Sequence, residues 1–285
     1  LVFDLLFQGG FVLDLHVHST ESDGSLTPEQ VIDHAFERGV TLVALCDHDT
    51  TAGGASFVAY GHRRGVDAVA GVEVSATWPT GNCHILGLGV RGDYEPLEGV
   101  LQKIRDSRDR RNELIIARLN ELGVDIALEE VEALAGGEVV ARPHMARVMM
   151  AKGAVASVQE AFDRYLAKGA PAYVDRYRLD PEQAVELLKG AGGSVVLAHP
   201  SQLKLEPAGI DELVARLKPH GLEGMEAYTP YTSDEQLPHY LAIAEKHGLA
   251  VTGGSDFHGE SKPAHFMGYY RREIPIPEGC GAIVR

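Results

Sequence analysis

The chain is short of cysteine, short of positive charge and without any long apolar run, and each shortage closes off a class of protein. Only Cys46, Cys83 and Cys280 occur, with no CxxC spacing. That excludes a disulfide framework and a thiolate zinc site, and it leaves nitrogen and oxygen donors for any metal. No stretch is long and apolar enough to span a bilayer, and no basic segment precedes a hydrophobic one near the start. Neither a membrane helix nor a secretory signal is expected, and a cytoplasmic location follows. Gly136-Gly137 and Gly190-Ala191-Gly192-Gly193 are turn material without GxGxxG or P-loop spacing, so a dinucleotide or nucleoside triphosphate site has no support. No serine or cysteine has a neighbouring histidine and acid motif of its own. Basic residues number 26 against 41 acidic, a formal charge of −15. Such a balance repels nucleic acid at a distance, but acids that line a metal site are neutralised by their ions, so charge alone does not exclude a phosphate substrate.

What is present is enough apolar material for one large core, or a core with a small appendage: 285 residues at 45% hydrophobic content. Short apolar runs alternate with helical stretches at Phe11 to Leu15, Leu42 to Cys46, Ala68 to Val74, His84 to Val90, Val195 to Ala198, Gly224 to Tyr228 and Leu249 to Thr252. This alternation predicts a parallel sheet closed into a barrel, with chemistry at the C-terminal strand ends. Thr27-Pro28-Glu29 opens one of the helices at a cap and an N1 proline, and Gly39 closes it. Residues 1–10, with Leu5-Leu6-Phe7-Gln8-Gly9-Gly10, look like the remnant of an engineered protease site or an N-terminal extension.

Between Leu97 and Tyr177 the alternation stops and a helical insertion is expected, with the barrel formed by 11–96 and 178–285. Of the charged residues, 13 basic and 13 acidic fall between Leu97 and Arg178, leaving 13 basic against 28 acidic elsewhere. Arg105, Arg108, Arg111 and Asn112 recur at helical spacing and could face phosphates; a solvated face balanced by Asp106, Asp109 and Glu113 reads equally well.

The chemistry-bearing residues cluster at strand ends. A strand's period of two sends His16 and His18 to one side, where a pair can grip an ion, and Asp256 and His258 repeat that geometry after Gly253-Gly254. His48 is flanked by Asp47 and Asp49, either of which could set its tautomer. Glu73 follows Val69-Ala70-Gly71-Val72, where an unpaired carboxylate is costly, so a cation is needed beside it. His199 precedes Pro200, which ends its strand. Asp23 reads as a ligand or as a turn aspartate, and His84 as a ligand or as a core histidine.

In order and context, His16-x-His18, Ser22-Asp23-Gly24, Asp47-His48-Asp49, Gly71-Val72-Glu73, His84, Ala198-His199-Pro200 and Ser255-Asp256-Phe257-His258 resemble the polymerase and histidinol phosphatase (PHP) family. The resemblance implies an α/β fold, a distorted (β/α)7 barrel, holding up to three divalent ions, with manganese favoured and iron or zinc as alternatives. It implies His16, His18, Glu73 and Asp256 on one ion, Glu73, His84 and His199 on a second, and Asp23, His48 and His258 on a third.

A second likeness concerns the insertion. Ala141-Arg142-Pro143-His144 resembles the motif of stand-alone members acting on nucleoside 3′,5′-bisphosphates and on the 5′ ends of short RNAs. Pro143 at a helix start would place Arg142 and His144 where a helix N-terminus favours an anion, with Arg142 as a bidentate fork. Arg142 and His144 are therefore expected to bind substrate and act in catalysis, and Lys168, Tyr177 and Arg178 to join the same pocket. The expected enzyme is a phosphoesterase using a metal-activated hydroxide on a nucleotide or short RNA, with no membrane and no obligate protein partner. The alternatives are a histidinol-phosphate or other small-molecule phosphatase and, from a different class, a non-catalytic interaction module.

Overall fold

The seven apolar runs become seven strands in a computed structural model that describes residues 11–135 and 140–284; the 1–10 extension and the Gly136-Gly137 turn lie outside the described residues. They are β1 (Leu13–Val17), β2 (Leu42–Leu45), β3 (Asp67–Ala76), β4 (Cys83–Leu88), β5 (Ser194–Leu197), β6 (Gly224–Tyr228) and β7 (Ala250–Gly253). They form one sheet in sequential order. The chain divides into two compact units, one made of the segment up to Leu101 and the segment from Arg178, the other Gln102–Tyr177.

The expectation of an all-parallel sheet is corrected at β4, which runs antiparallel to both β3 and β5 while the remaining pairs are parallel. The link 77–82 between β3 and β4 is too short for the crossover of about a dozen or more residues that a parallel return requires. The reversal decides where His84 goes. At the start of an antiparallel strand, it lies at the same end of the sheet as the C-terminal ends of β1, β2 and β3. The sheet is nearly closed into a barrel there by a bridge between Val17 and Phe257, with the His18 N–H donating to the Phe257 carbonyl at 2.8 Å.

The first helix, α1 (Pro28–Glu37), begins as the sequence predicts, with a Thr27 cap, a reciprocal bond from the Thr27 N–H to the Gln30 side-chain oxygen and proline in the first turn. Its Val31, Ile32 and Ala35, with Phe57 of α2 (Gly54–Arg64), pack on Val17, Val43 and Leu45 outside the sheet. Leu13 and Leu15 instead join Leu42, Ala44, Leu86 and Val196 in a separate inner cluster. Strict alternation would put Val17 with Leu15. The register shift between Asp14 and Val17 breaks that alternation, so β1 lines the inner cluster at its start and still delivers His16 and His18 to the site.

Helix α3 (Glu95–Glu121) contains the boundary between the units. In the second unit its Ile115, Ile116 and Leu119 pack with Val131 of α4 (Leu128–Ala135), Met145, Val148 and Met149 of α5 (Arg142–Ala151) and Ala161 of α6 (Val158–Ala161). The first unit resumes with α7 (Pro181–Gly190), α8 (Pro207–Leu217) and α9 (Gln236–His247) between its last strands. Among the described residues no helix is long and apolar enough to cross a membrane.

Candidate metal centre

Glu73 is the hub. Its carboxylate is fully buried, and five imidazoles converge on it: His84 Nδ1 at 2.7 Å and His199 Nε2 at 2.9 Å from Oε1, His48 Nδ1 at 2.9 Å and both His16 Nε2 and His18 Nε2 at 3.4 Å from Oε2. Asp256 Oδ1 lies 3.2 Å from His18 Nε2 and 3.7 Å from His16 Nε2. Asp23 Oδ1 is 3.2 Å from His258 Nε2, and its Oδ2 is 3.6 Å from His48 Nε2. All nine residues singled out as metal ligands therefore lie in one cluster of the first unit.

Three sets could each hold an ion: His16, His18, Glu73 and Asp256; His18, Asp23, His48 and His258; and His48, Glu73 and His84. In the last, His48 stands where His199 was expected, and His199 reaches the group through its contact with Glu73.

Local backbone explains the convergence. The turn after β1 folds back through Gly24, whose N–H donates to the Ser19 carbonyl and where a Cβ would lie 2.6 Å from the His18 carbonyl oxygen. This brings Asp23 under the histidines. Of the acids beside His48, Asp47 accepts from the Ser19 N–H (2.7 Å) and the Ser19 and Ser22 hydroxyls (2.7 and 2.6 Å), and Asp49 accepts from the Ser75 N–H at 2.9 Å. They brace the backbone on either side of the ligand. Asp49, His199 and Asp256 have φ of 55°, 22° and 51°, conformations that L-residues avoid and that cost about 1–3 kcal/mol each.

The donor set fits hard or borderline divalent cations. His16 Nε2, His18 Nε2, His48 Nδ1, Glu73 Oε2, His84 Nδ1 and His258 Nε2 are all buried without a hydrogen bond. Buried polar atoms almost always have a partner, and a cluster of such orphans facing one another calls for cations. Mixed imidazole and carboxylate donors suit manganese, iron or zinc.

Electrostatics agree. Burial alone would raise the Glu73 carboxyl, but His48, His84 and His16 outweigh it and hold the group well below the ordinary range. Burial would lower His48, yet Glu73 and Asp23 carry it up to about 9. His16 is likewise lifted, against burial, by Glu73 and Glu226. Without ions His48 is held in its protonated form at neutral pH and His16 is pushed in the same direction, so an ion taking their lone pairs must displace protons. Uptake of Mn2+ at pH 7 is thus expected to release protons, and affinity to fall as pH falls. Calorimetry in buffers of different ionisation enthalpy checks this, and heats that do not vary with buffer would contradict it.

Four residues of this neighbourhood escaped the sequence reading. Glu226 receives His16 Nδ1 at 3.2 Å and the His199 N–H at 2.8 Å, so it orients two ligands. Its signal was present, since Gly224-Met225-Glu226-Ala227 is the same acid in an apolar strand that marked Glu73. Tyr231, Lys262 and His265 surround Asp256 from loops and had no such signal.

The expected substrate residues lie elsewhere in the chain. In the second unit, Arg142 opens α5, donates Nη1 to the Leu166 carbonyl at 2.9 Å and lies over the Tyr173 ring. His144 is buried, with Nδ1 accepting from the Ala141 N–H at 3.2 Å, which leaves the ring proton on Nε2. Lys168 is exposed, and the Tyr177 ring lies 3.8 Å beneath Lys103 Nζ. Arg178, half-buried, belongs to the first unit. Arg108, Arg111 and Asn112 are buried, against the reading of a solvated face. Arg105, Arg108 and Asn112 line a cavity of about 410 Å3 within the second unit.

Comparison with known proteins identifies relatives of the chain. A family profile described as PHP domain matches residues 14–168. The 3′,5′-nucleoside bisphosphate phosphatase of Chromobacterium violaceum is 35% identical over 265 residues, 93% of each chain. The 5′-3′ exoribonuclease Rnm of Escherichia coli is 35% identical over 249 residues, covering 87% of this chain and 85% of its own. Among solved structures, an amidohydrolase from Chromobacterium violaceum with bound sulfate and no metal superposes with a TM-score of 0.77 at 34% identity, covering 94% of this chain and 93% of that one.

Proposed function

The chain belongs to the PHP domain family, and from that premise we propose that it removes the 3′-phosphate of nucleoside 3′,5′-bisphosphates, cleaves nucleotides from the 5′ end of short RNAs, or does both. The observation that carries the metal-dependent part is the group of six buried, unbonded donor atoms around Glu73. The substrate class rests on likeness to the two relatives with those activities and on the Arg142-Pro143-His144 helix start.

Divalent ions held by His16, His18, Asp23, His48, Glu73, His84, His199, Asp256 and His258, up to three and most simply manganese, would supply Lewis-acid polarisation of the phosphoryl group and an activated water. The chain's own part is to hold the donors and to recognise the anion. Asp23, Glu73 and Asp256 bring three negative charges to offset the cations. Glu226 accepts a hydrogen bond from His16 Nδ1, so that Nε2 faces the cluster. The Asp256 carbonyl accepts from His258 Nδ1 at 2.7 Å and does the same for that ring. Arg142 is proposed to bind a substrate phosphate with its fork, and His144, protonated at Nε2, to donate to the departing alcohol. Lys168, Tyr177 and Arg178 are proposed as weaker contributors to the same recognition.

The test is release of phosphate and nucleotide, with Mn2+, from adenosine 3′,5′-bisphosphate, a 5′-phosphorylated oligoribonucleotide and histidinol phosphate, for the wild type and Arg142→Ala. Turnover of the first two is expected. The variant should lose on the order of 10^2-fold or more in kcat/KM, since truncating a charged anion contact costs several kcal/mol. Turnover of histidinol phosphate alone would move the assignment to that phosphatase. No turnover with metal bound would leave a non-catalytic module.

A further inference from the structure

We propose that Lys262 and Tyr231 are positioning residues that hold Asp256 as a one-oxygen donor to the metal cluster. This deepens the metal reading above and rests on it. The two oxygens of Asp256 face different surroundings. Oδ1 looks into the cluster, at 3.2 Å from His18 Nε2, 3.6 Å from His258 Nδ1 and 3.7 Å from His16 Nε2. Oδ2 is taken by the Lys262 ammonium at 2.7 Å and by the Tyr231 hydroxyl, with 3.4 Å between Lys262 Nζ and the Tyr231 oxygen.

The rest of the residue is held as firmly. The Asp256 carbonyl accepts from His258 Nδ1 at 2.7 Å and His265 Nδ1 at 2.9 Å. The backbone sits at φ 51°, a conformation that persists only where surrounding contacts over-determine it. The Tyr231 ring is in turn flanked by His199 at 5.6 Å and His265 at 5.2 Å between centroids. A carboxylate with one oxygen saturated by an ammonium and a phenol cannot turn both oxygens inward. Oδ1 alone is left to complete the set with His16, His18 and Glu73.

A plainer role for Lys262 is that of a counter-charge to Asp256, Asp23 and Glu73, and the two roles predict opposite signs. A cation beside bound cations is repulsive, so a mere counter-charge, once removed, would let ions bind more tightly. Loss of a positioning contact frees Oδ2, changes the coordination and weakens binding, typically by ~10–100-fold.

The experiment is Mn2+ affinity by chelator competition, together with the visible spectrum of the Co2+-loaded protein, for the wild type, Lys262→Met, Lys262→Arg and Tyr231→Phe. Weaker binding of one ion in Lys262→Met and Tyr231→Phe, by ~10–100-fold, is expected. An altered Co2+ spectrum and partial recovery in Lys262→Arg should accompany it. Tyr231→Phe removes a single hydroxyl and carries the test if Lys262→Met does not fold. Affinity unchanged or tightened in both variants overturns the proposal while leaving the metal centre intact, whereas a wild type that binds no Mn2+ overturns both.

Discussion

Glu73→Gln is expected to remove phosphoesterase activity and most of the bound metal together, while leaving a folded protein. Glutamine keeps the shape of the side chain and can still bond the surrounding rings, so packing in the barrel should survive. What disappears is the negative charge against which five imidazoles are arranged. Two of the three candidate ion sets include this carboxylate, so its neutralisation reaches more than one ion. His16 and His48, whose protonation Glu73 favours, should then titrate at lower pH than in the wild type. The useful comparison is Glu226→Gln, which removes an acid that touches His16 and His199 from behind. That change should cost ~10–100-fold in metal affinity or activity, as outer partners of ligands do, and Glu73→Gln should cost well beyond it. Metal content by elemental analysis and kcat/KM on the same samples decide the matter. A Glu73→Gln protein with its full metal complement and activity within ~10-fold of wild type would remove Glu73 from the centre of the site.

The contrast between these two acids shows how far the site could be read before folding. Glu73 and Glu226 are both single carboxylates in apolar strands, and the cost of burying an unpaired acid applies to each alike. Glu73 was singled out by the apolar run before it and then matched a family pattern with the motifs around it, whereas Glu226, with the same signal, acts behind the ligands, outside any such motif. The strands themselves were legible because apolar runs bounded by turn residues carry their own signal. The direction of β4 followed from loop length rather than from its residues, and so a purely parallel sheet was expected. His84 shows the consequence: its own surroundings left it open as a ligand or a core histidine, and the reversal of β4 is what puts that end of the strand beside Glu73. Tyr231 and Lys262 were out of reach for another reason. Their contact with Asp256 is made by loops that close over the strand ends, and no local period or propensity encodes such a meeting. The second unit was legible as helical, but the burial of Arg108 and Arg111 was not, since helical spacing alone does not tell an inward arginine from a solvated one.

Gly254→Ala is expected to be among the most damaging single methyl groups that can be added to this chain. A Cβ at Gly254 would lie 2.2 Å from the Cβ of His16, 2.6 Å from Glu226 Oε1 and 3.0 Å from the His16 backbone nitrogen. None of these can move cheaply. His16 is on β1 and fully buried, and Glu226 is held by the His16 ring and the His199 N–H. The glycine thus lets the segment leading to Asp256 pass directly against the strand that carries the first pair of histidines. Overpacking a buried site costs ~1–3 kcal/mol and occasionally more, and an approach this close belongs at or above the top of that range. The strain should fall on His16 and its Glu226 partner, so Mn2+ affinity should drop along with stability. Gly99→Ala is the control. That glycine lies within α3 with nothing within 4 Å of the added carbon, and alanine there should stabilise by roughly 0.5–1 kcal/mol. Denaturant unfolding of both variants, with and without Mn2+, would show opposite signs for the same chemical change. A Gly254→Ala protein as stable and as metal-avid as wild type would mean that the segment before Asp256 does not press on His16, and the packing account of the site would fail with it.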